Sequence, residues 1–253
     1  DKLLCFSNRG KVYLLQVYEI PESGRQSRGT ALVNLLPLEE KEFITATMPI
    51  NDFSDEYFLL MVTARGMIKK TSLHEYRNTR KTGLIALSLS ENDELIAVRL
   101  TDGNKEVIVG TSAGLFVRFP EDQVRPMGRS ARGVKAVTLG KKDRVINADL
   151  VTGDQQMLLA SSGGYGKRVA VSDFAVHRRG GKGMIGLKTT MQSGPLSIFI
   201  VLNGDEEEFM IVTARGVVNR QKIEQVSLMG RYARGVTLIR LDENDRVMNL
   251  IGL

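Results

Sequence analysis

Basic residues cluster before five glycines, at a fixed spacing in four of the five places, and this is the pattern in the sequence that could do chemistry. In four places a basic residue stands four positions and one position before the glycine: Arg25 and Arg28 before Gly29, Arg129 and Arg132 before Gly133, Arg179 and Lys182 before Gly183, and Arg231 and Arg234 before Gly235. The fifth place is displaced, with Arg80 and Lys81 before Gly83. A guanidinium group binds phosphate oxygens through paired hydrogen bonds, and glycine lets the backbone approach closely. The pattern therefore predicts loops that bind a polyanion such as a phosphate backbone.

The densest of these loops holds three cations and three glycines in seven residues, namely His177, Arg178, Arg179, Gly180, Gly181, Lys182 and Gly183. A flexible basic linker would have the same composition, but the position shared with the other four clusters favours a binding function. Further cations fall on the segment that precedes each loop: Lys11, Lys69, Lys70, Arg118, Lys167, Arg168 and Arg220. We expect each repeat to present a strand-borne cation and a loop-borne cluster.

Charge is sorted in register with this pattern. The intervals 8–29, 64–83, 112–133, 162–183 and 214–235 hold 24 of the 35 Lys and Arg residues but only 7 of the 29 Asp and Glu residues. The remainder of the chain is therefore net negative, although the whole carries a formal charge of +6. A chain that is basic by composition alone has no reason to place its charge periodically, so we expect one basic rim that faces an acidic partner.

A second set of glycines divides the chain into five repeats. Each loop glycine follows a hairpin glycine by 19 residues, or by 17 in the second repeat; the hairpin glycines are Gly10, Gly66, Gly114, Gly164 and Gly216. In the third repeat, short apolar runs predict four strands at 106–110, 115–119, 134–139 and 145–150, and the other repeats match it. Helical periodicity never lasts three turns, and we expect at most a turn or two of helix, for example near residues 72–77.

Four-strand units at a period near 50 residues indicate an all-β fold with about five four-stranded blades in a propeller-like ring. We predict a single domain over residues 1–253, with repeats at approximately 3–56, 57–104, 105–155, 156–207 and 208–253. A sandwich would need two long sheets, and nothing divides the repeats into two groups.

The composition narrows the class of protein further. The longest apolar runs, 57–62 and 198–202, are too short to span a membrane, and the start of the chain does not resemble a secretory leader. Cys5 is the single cysteine, which excludes an internal disulfide and fits a reducing compartment. The chain opens at Asp1 inside an apolar strand, so we expect a fragment of something longer.

Two other classes of function compete with polyanion binding. An enzyme is disfavoured because the only histidines, His74 and His177, belong to no recognisable catalytic set, and Gly163–Lys167 lacks the spacing of a phosphate-binding P-loop. The acidic stretch 205–208 is better interpreted as a turn between repeats than as a metal site. A propeller used as a protein-interaction scaffold would present aromatic anchors, whereas this chain has no Trp and is 6% aromatic.

Residues 177–183 resemble the glutamine-arginine-arginine-glycine-glycine-lysine-glycine box of the bacterial DNA gyrase A subunit. Residues 4–13, 17–21, 33–37, 164–168 and 236–240 resemble segments of the C-terminal domain of that family, in the family's order. The resemblance runs through all five repeats. Two departures stand out: the first box residue is His177 rather than Gln, and the box lies in the fourth repeat rather than the first.

The resemblance implies a β-pinwheel, in which neighbouring blades exchange strands, and a basic perimeter that wraps duplex DNA without strong sequence preference. It assigns the box function to Arg178, Arg179, Gly180, Gly181, Lys182 and Gly183, and the remaining track to the other basic residues named above. It implies no catalytic residue, metal or cofactor in this domain. ATP and Mg²⁺ would serve other parts of an ATP-dependent type II topoisomerase that introduces negative supercoils.

The implied partners are duplex DNA, the rest of the gyrase A subunit, and the gyrase B subunit, with no membrane. The implied location is cytoplasmic, in association with the nucleoid. The related topoisomerase IV A subunit is the alternative, and the nearly intact box favours gyrase over it.

Overall fold

The computed structural model describes residues 1–24 and 29–253. Within these ranges the regular structure is almost entirely β. In chain order the strands are β1 (Lys2–Ser7), β2 (Lys11–Gln16), β3 (Ile44–Ile50), β4 (Phe58–Thr63), β5 (Met67–Ser72), β6 (Leu84–Ile85), β7 (Leu95–Thr101), β8 (Glu106–Thr111), β9 (Leu115–Pro120), β10 (Val134–Lys135), β11 (Val145–Val151), β12 (Gln156–Ser161), β13 (Tyr165–Ala170), β14 (Met184–Ile185), β15 (Leu196–Leu202), β16 (Glu208–Thr213), β17 (Val218–Lys222), β18 (Val236–Thr237) and β19 (Val247–Gly252).

The described helices are single 3₁₀ turns at Val17–Glu19, Leu32–Asn34, Leu73–Tyr76, Glu121–Gln123, Val171–Asp173 and Ile223–Gln225. The turn at Leu73–Tyr76 confirms the short helix predicted near residues 72–77. In the part of the chain that the structure describes, no helix has the length and hydropathy needed to cross a bilayer.

The strands form five antiparallel sheets, one for each repeat, which confirms the bladed all-β prediction. Four sheets have four strands, in the orders β3-β1-β2-β6, β10-β5-β4-β7, β11-β8-β9-β14 and β15-β12-β13-β18. In each of them the last short strand to pair comes from the following repeat, as the resemblance implied for a β-pinwheel. The fifth sheet, β17-β16-β19, has three described strands.

The third strand of a repeat is much shorter than the sequence predicts. Residues 134–139 were expected to be extended throughout, but only Val134 and Lys135 form β10. The buried side chains that follow, Ala136 and Val137, belong to irregular backbone. An apolar run therefore marked burial correctly here without marking a strand.

The chain forms two compact units. Unit 1 comprises residues 1–103 and 124–134, and unit 2 comprises residues 104–123 and 135–253. The main core of unit 1 gathers Leu4, Phe6, Leu59, Met61 and Tyr76 from its first two repeats. Unit 2 has one core built around Phe116, Phe174 and Phe199, and another around Phe209 and Ile211. The prediction of one domain over the whole chain stays a prediction.

All ten repeated glycines adopt positive φ angles, between 66° and 90°. The reason is clearest at Gly235, where φ is 90° and an added Cβ would lie 2.3 Å from the carbonyl oxygen of Gly166 in the preceding repeat. Only glycine fits both the backbone angle and the close approach. The loop glycine is thus the residue that allows the basic loop to end against the neighbouring β-hairpin.

Candidate nucleic-acid interface

Three of the basic loops are hydrogen-bonded near their start to the second strand of the preceding repeat. We name the third, fourth and fifth basic loops as residues 126–133, 176–183 and 228–235. Their second residues, Met127, His177 and Met229, donate backbone N–H bonds to the carbonyl oxygens of Lys70, Arg118 and Arg168, at 2.8, 2.8 and 2.9 Å respectively. The loops then lead into β10, β14 and β18, which pair with β5, β9 and β13 of the same preceding repeats. Both ends of each loop are therefore fixed, and little backbone freedom is left between them.

In the third, fourth and fifth basic loops, the arginine four positions before the loop glycine is an anchor rather than a free cation. The Nη1 atoms of Arg129, Arg179 and Arg231 donate to the carbonyl oxygens of Ile85, Lys135 and Ile185, at 3.1, 2.9 and 3.3 Å respectively. Arg179 also donates through Nε to the carbonyl oxygen of Gln123 at 3.0 Å. All three side chains are half-buried. Their first role is to bind the loop to backbone of the same unit.

In the same three loops, the cation immediately before the loop glycine points outward. Arg132, Lys182 and Arg234 are all exposed. The Nη1 atom of Arg234 donates to Oε1 of Gln192 at 2.9 Å, and its guanidinium lies 4.9 Å from the ring centre of Tyr165. Both neighbours are neutral, so the charge of Arg234 is uncompensated. Within residues 1–24 and 29–253, Arg132 and Lys182 have no hydrogen bond or ion pair through their side chains. These three cations are free to bind phosphate.

The box at residues 177–183 combines both kinds of residue. His177 and Arg178 are exposed, Arg179 is anchored, and Lys182 is exposed. Gly180 adopts a φ of 85°, and its N–H donates to the carbonyl oxygen of Ala136 at 2.6 Å. Thr138 holds the other side of the turn, since its hydroxyl donates to the carbonyl oxygen of Gly180 at 2.7 Å and its N–H to that of Gly181 at 2.8 Å. The glycines thus shape a turn that separates Arg178 from Lys182.

The displaced cluster of the second repeat is also exposed. Arg80 and Lys81 both lie on the surface, and Nζ of Lys81 is 3.0 Å from Oε1 of Glu19. Arg25 and Arg28, the predicted cations of the first repeat, lie outside the described residues.

Four of the strand-borne cations do not belong to the exposed perimeter that the sequence predicts. Lys69 and Lys167 are 0% exposed, and Lys70 and Arg118 are 4% and 7% exposed. Nε of Arg118 donates to Glu106 at 2.7 Å, and its Nη1 donates to the carbonyl oxygens of Val171 and Phe174 at 2.9 and 3.1 Å. As they are placed, these four side chains are enclosed by protein and are not available to a phosphate backbone.

Arg168 and Arg220 follow the same hairpin pairing with more exposure. Arg168 is half-buried and donates to the carbonyl oxygen of Val226 and to Gln156, and the exposed Arg220 is paired with Glu208. Lys70 lies over the ring of Phe58 at 5.4 Å. In every case the partner on the first strand of the hairpin stands twelve positions before the cation, as in Phe58 and Lys70 or Glu106 and Arg118. That fixed spacing was the sequence signal for a cross-strand structural role.

Burial shifts the pKa of the two fully enclosed lysines. Desolvation lowers the pKa of Lys69 from 10.5 to about 7, and the nearby charge of Arg129 lowers it further. Desolvation lowers the pKa of Lys167 from 10.5 to about 8. Among the described residues no group of three or more His, Cys, Asp and Glu side chains is arranged to hold a metal ion.

Comparison with known proteins decides the family. The model of the family described as "DNA gyrase C-terminal domain, beta-propeller" matches residues 1–51, 57–102, 105–152, 155–190 and 207–251, one segment for each repeat. The chain belongs to this gyrase C-terminal domain family. The resemblance inferred from the box and the other motifs is thereby confirmed.

Known relatives of this gyrase C-terminal domain align with nearly its whole length. The DNA gyrase A subunit of Escherichia coli (strain K12) is 41% identical over 250 residues, which is 99% of this chain and 28% of the relative. The chain thus spans about a quarter of the length of the curated relatives it matches. A solved C-terminal domain of DNA topoisomerase IV has a TM-score of 0.91 at 29% identity, covering 100% of this chain and 79% of that one. A solved DNA gyrase A C-terminal domain has a TM-score of 0.85 at 27% identity, covering 100% and 82%.

Proposed function

We propose that this chain binds duplex DNA along its basic loops and bends it, as the DNA-wrapping domain of a gyrase A subunit. The observation that carries the proposal is the separation of two roles within the third, fourth and fifth basic loops. One arginine ties the loop to backbone, and the cation just before the glycine, Arg132, Lys182 or Arg234, stands exposed. An anchored loop with a free cation can bind phosphate without first being ordered, and this reduces the entropic cost of binding.

The physical reason for repeating such loops lies in the stiffness of DNA. Bending 20–30 bp by 40–90° costs roughly 1–6 kcal/mol by elastic estimates, more than one exposed ion pair supplies. Cations on successive repeats can share this cost, because each bend brings further phosphates within reach and releases further counterions. Binding would then tolerate most sequences and depend steeply on salt. About eight neutralised phosphates would give a log–log salt slope near −7.

The activity of the whole protein belongs to the same proposal. The chain would join the rest of the gyrase A subunit together with the gyrase B subunit, and the assembled enzyme would use ATP and Mg²⁺ to introduce negative supercoils. Its own contribution would be to hold a wrapped DNA segment, because its exposed cations bind phosphate but offer no nucleophile or general base for strand cleavage.

A topoisomerase IV A subunit is the second candidate. The TM-score of 0.91 with the solved topoisomerase IV domain favours it. The box at residues 177–183 and the 41% identity to the Escherichia coli gyrase relative favour gyrase. Reconstitution of the complete subunit with its partner separates the two, since gyrase would supercoil relaxed plasmid and topoisomerase IV would only relax or decatenate it.

DNA length provides the direct test of wrapping. The chain should bind a duplex of about 100 bp much more tightly than one of about 15 bp at matched phosphate concentration, because only the longer duplex can reach successive loops. Equal affinities for the two lengths would refute wrapping. Heparin at the same charge concentration serves as the control for simple polyanion binding.

The box has a test of its own in the assembled enzyme. Replacing Arg178, Arg179 and Lys182 with Ala should lower supercoiling while DNA relaxation persists, because the cleavage chemistry lies elsewhere. Unchanged supercoiling in this triple variant would mean that the box takes no part in wrapping.

A further inference from the structure

Two buried lysines occupy the same position in alternate repeats, three residues after the hairpin glycine. Nζ of Lys167 donates to the carbonyl oxygens of Gly230 and Arg231 at 2.6 and 2.9 Å. Nζ of Lys69 donates to the equivalent carbonyl oxygens of Gly128, at 3.3 Å, and Arg129. Lys69 also donates to the carbonyl oxygen of Ala86 in its own repeat. Both ammonium groups nevertheless reach out of their own repeats and bind the backbone of the basic loop that follows.

The fold does not need a charge at this position. The equivalent residue is Tyr13 in the first repeat, Val117 in the third and Asn219 in the fifth. Val117 and Tyr13 are both buried, so neutral side chains fill the same place in similar sheets. An ammonium removed from water is costly unless its hydrogen bonds are satisfied, and an apolar residue of similar size is often the more stable choice. The lysines therefore require an explanation other than stability.

The loops that face the two lysines share a sequence that the intervening loop lacks. The third basic loop contains Gly-Arg-Ser-Ala-Arg-Gly at 128–133, and the fifth contains Gly-Arg-Tyr-Ala-Arg-Gly at 230–235. In both, the N–H of the alanine closes a turn onto the carbonyl oxygen of the first glycine, Ala131 to Gly128 at 3.1 Å and Ala233 to Gly230 at 3.2 Å. The lysine binds that same glycine carbonyl, and the exposed arginine follows the alanine directly.

The fourth basic loop, which faces Val117, is held in a different way. Its turn depends on Gly180 and on the two hydrogen bonds from Thr138 to the carbonyl oxygens of Gly180 and Gly181. The basic loops are therefore fixed in two different ways. A loop is fixed either by a lysine beneath it or by glycines and a threonine beside it.

We propose that Lys69 and Lys167 are positioning residues that fix the turns before Arg132 and Arg234, so that these two arginines are presented to DNA. This inference rests on the proposed function for its DNA readout. The positioning itself is a property of the free chain and can be measured without DNA.

The charged surroundings of the lysines make the positioning sensitive to pH. Arg129 and Glu75 face Lys69, and Asp173 and Arg231 face Lys167. Because burial lowers the pKa of Lys69 to about 7 and that of Lys167 to about 8, each ammonium loses its proton in mildly alkaline solution. An opened loop would return the ammonium group to water and its pKa toward 10.5, so the opened state binds more protons and the third and fifth loops should be held more firmly as the pH rises.

The test combines amide exchange with DNA binding in the double variant Lys69→Met and Lys167→Met. We expect the protection of the Ala131 and Ala233 amides to fall about tenfold, which corresponds to one lost hydrogen bond of ordinary net strength. Protection of Gly180, in the loop that faces Val117, should stay unchanged and serves as the internal control. Affinity for a long duplex should fall by about the same factor for each loop. The variant Lys141→Met, at an exposed lysine, should change neither quantity.

Each outcome of this test either supports or overturns the proposal. Unchanged protection at Ala131 and Ala233 in a folded double variant overturns the positioning role, and so does an equal loss at Gly180, which would indicate general loosening. Lost protection with unchanged DNA affinity overturns the presentation of the arginines. If the unmodified chain does not bind long DNA, the proposed function fails while amide exchange still tests the lysines.

A pH series on the unmodified chain covers the case in which the double variant does not fold. Between about pH 6 and 9, protection at Ala131 and Ala233 relative to Gly180 should rise as the lysines lose their protons, after correction for intrinsic exchange. A constant or falling ratio over this range overturns the proposal.

Discussion

Neutralising the three outward cations should weaken DNA binding without weakening the fold. The perturbation is the triple variant Arg132→Gln, Lys182→Gln and Arg234→Gln. All three side chains are exposed, and the hydrogen bonds that anchor their loops come from other residues. Exposed substitutions of this kind change the free energy of unfolding by about 0.5 kcal/mol or less each.

The size of the binding effect follows from counterion release. Each phosphate contact contributes about 0.9 to the log–log salt slope, so three lost contacts make the slope shallower by about 2.7. Since this contribution grows with each tenfold dilution of salt below 1 M, affinity near 0.1 M salt should fall by roughly two to three powers of ten. Fluorescence anisotropy with a long duplex over a salt series measures both quantities in one experiment.

A control with the same net charge separates position from composition. Lys141→Gln, Lys142→Gln and Arg246→Gln also remove three exposed positive charges, but from turns outside the basic loops. The control triple should lose at most a few-fold in affinity, because distant exposed charges are screened at this ionic strength. Equal losses in the two triples would refute the reasoning, since they would mean that net charge alone attracts DNA.

Three further predictions concern the scaffold behind the loops. Arg231→Gln removes the anchor to Ile185 and the stacking on Phe174 at 5.8 Å, so denaturant unfolding should show a loss of about 1–2 kcal/mol, while Arg234→Gln should change stability by less than about 0.5 kcal/mol. Gly235→Ala should destabilise the fold by about 2 kcal/mol or more, because its Cβ would lie 2.3 Å from the Gly166 carbonyl oxygen at a φ of 90°. The control is Gly230→Ala, whose Cβ would meet nothing within 4 Å. Equal stabilities of the two variants would contradict the steric account. In the folded chain the pKa of Lys69 is lowered from 10.5 to about 7, so between these pH values the unfolded chain binds more protons and the free energy of unfolding should rise with pH. Lys69→Met should flatten that rise. An identical pH dependence in both proteins would show that Lys69 does not titrate in this range.

The hairpins of this fold could be predicted from the sequence because their determinants are local. In the third repeat, the predicted strands 106–110, 115–119 and 145–150 correspond to β8, β9 and β11 to within one residue. Apolar runs bounded by turn glycines specify such strands without reference to the rest of the chain. The strand exchange is different, because β10 and β14 have only two residues each and are defined by partners in another repeat.

The candidate interface could be predicted only in part, for a similar reason. The spacing of Arg129 and Arg132 marked both residues as basic loop positions, but it could not distinguish the anchor from the exposed cation. That distinction depends on where the carbonyl oxygen of Ile85 lies in space. The burial of Lys69 and Lys167 does not follow from the sequence, because a lysine in a strand is usually exposed. Most of the carbonyl oxygens that bind these two side chains come from loops about 60 residues further along the chain.

Wrapping is most directly tested by DNA topology. Nicked circular DNA is saturated with the chain and sealed by ligase, and the linking number is then read on a gel after the protein is removed. A chain that bends DNA around successive basic loops predicts a shift in the mean linking number, which grows with the amount bound and is lost in the Arg132, Lys182 and Arg234 triple variant. An unshifted distribution at saturation would contradict wrapping, whatever the affinity of the chain for DNA.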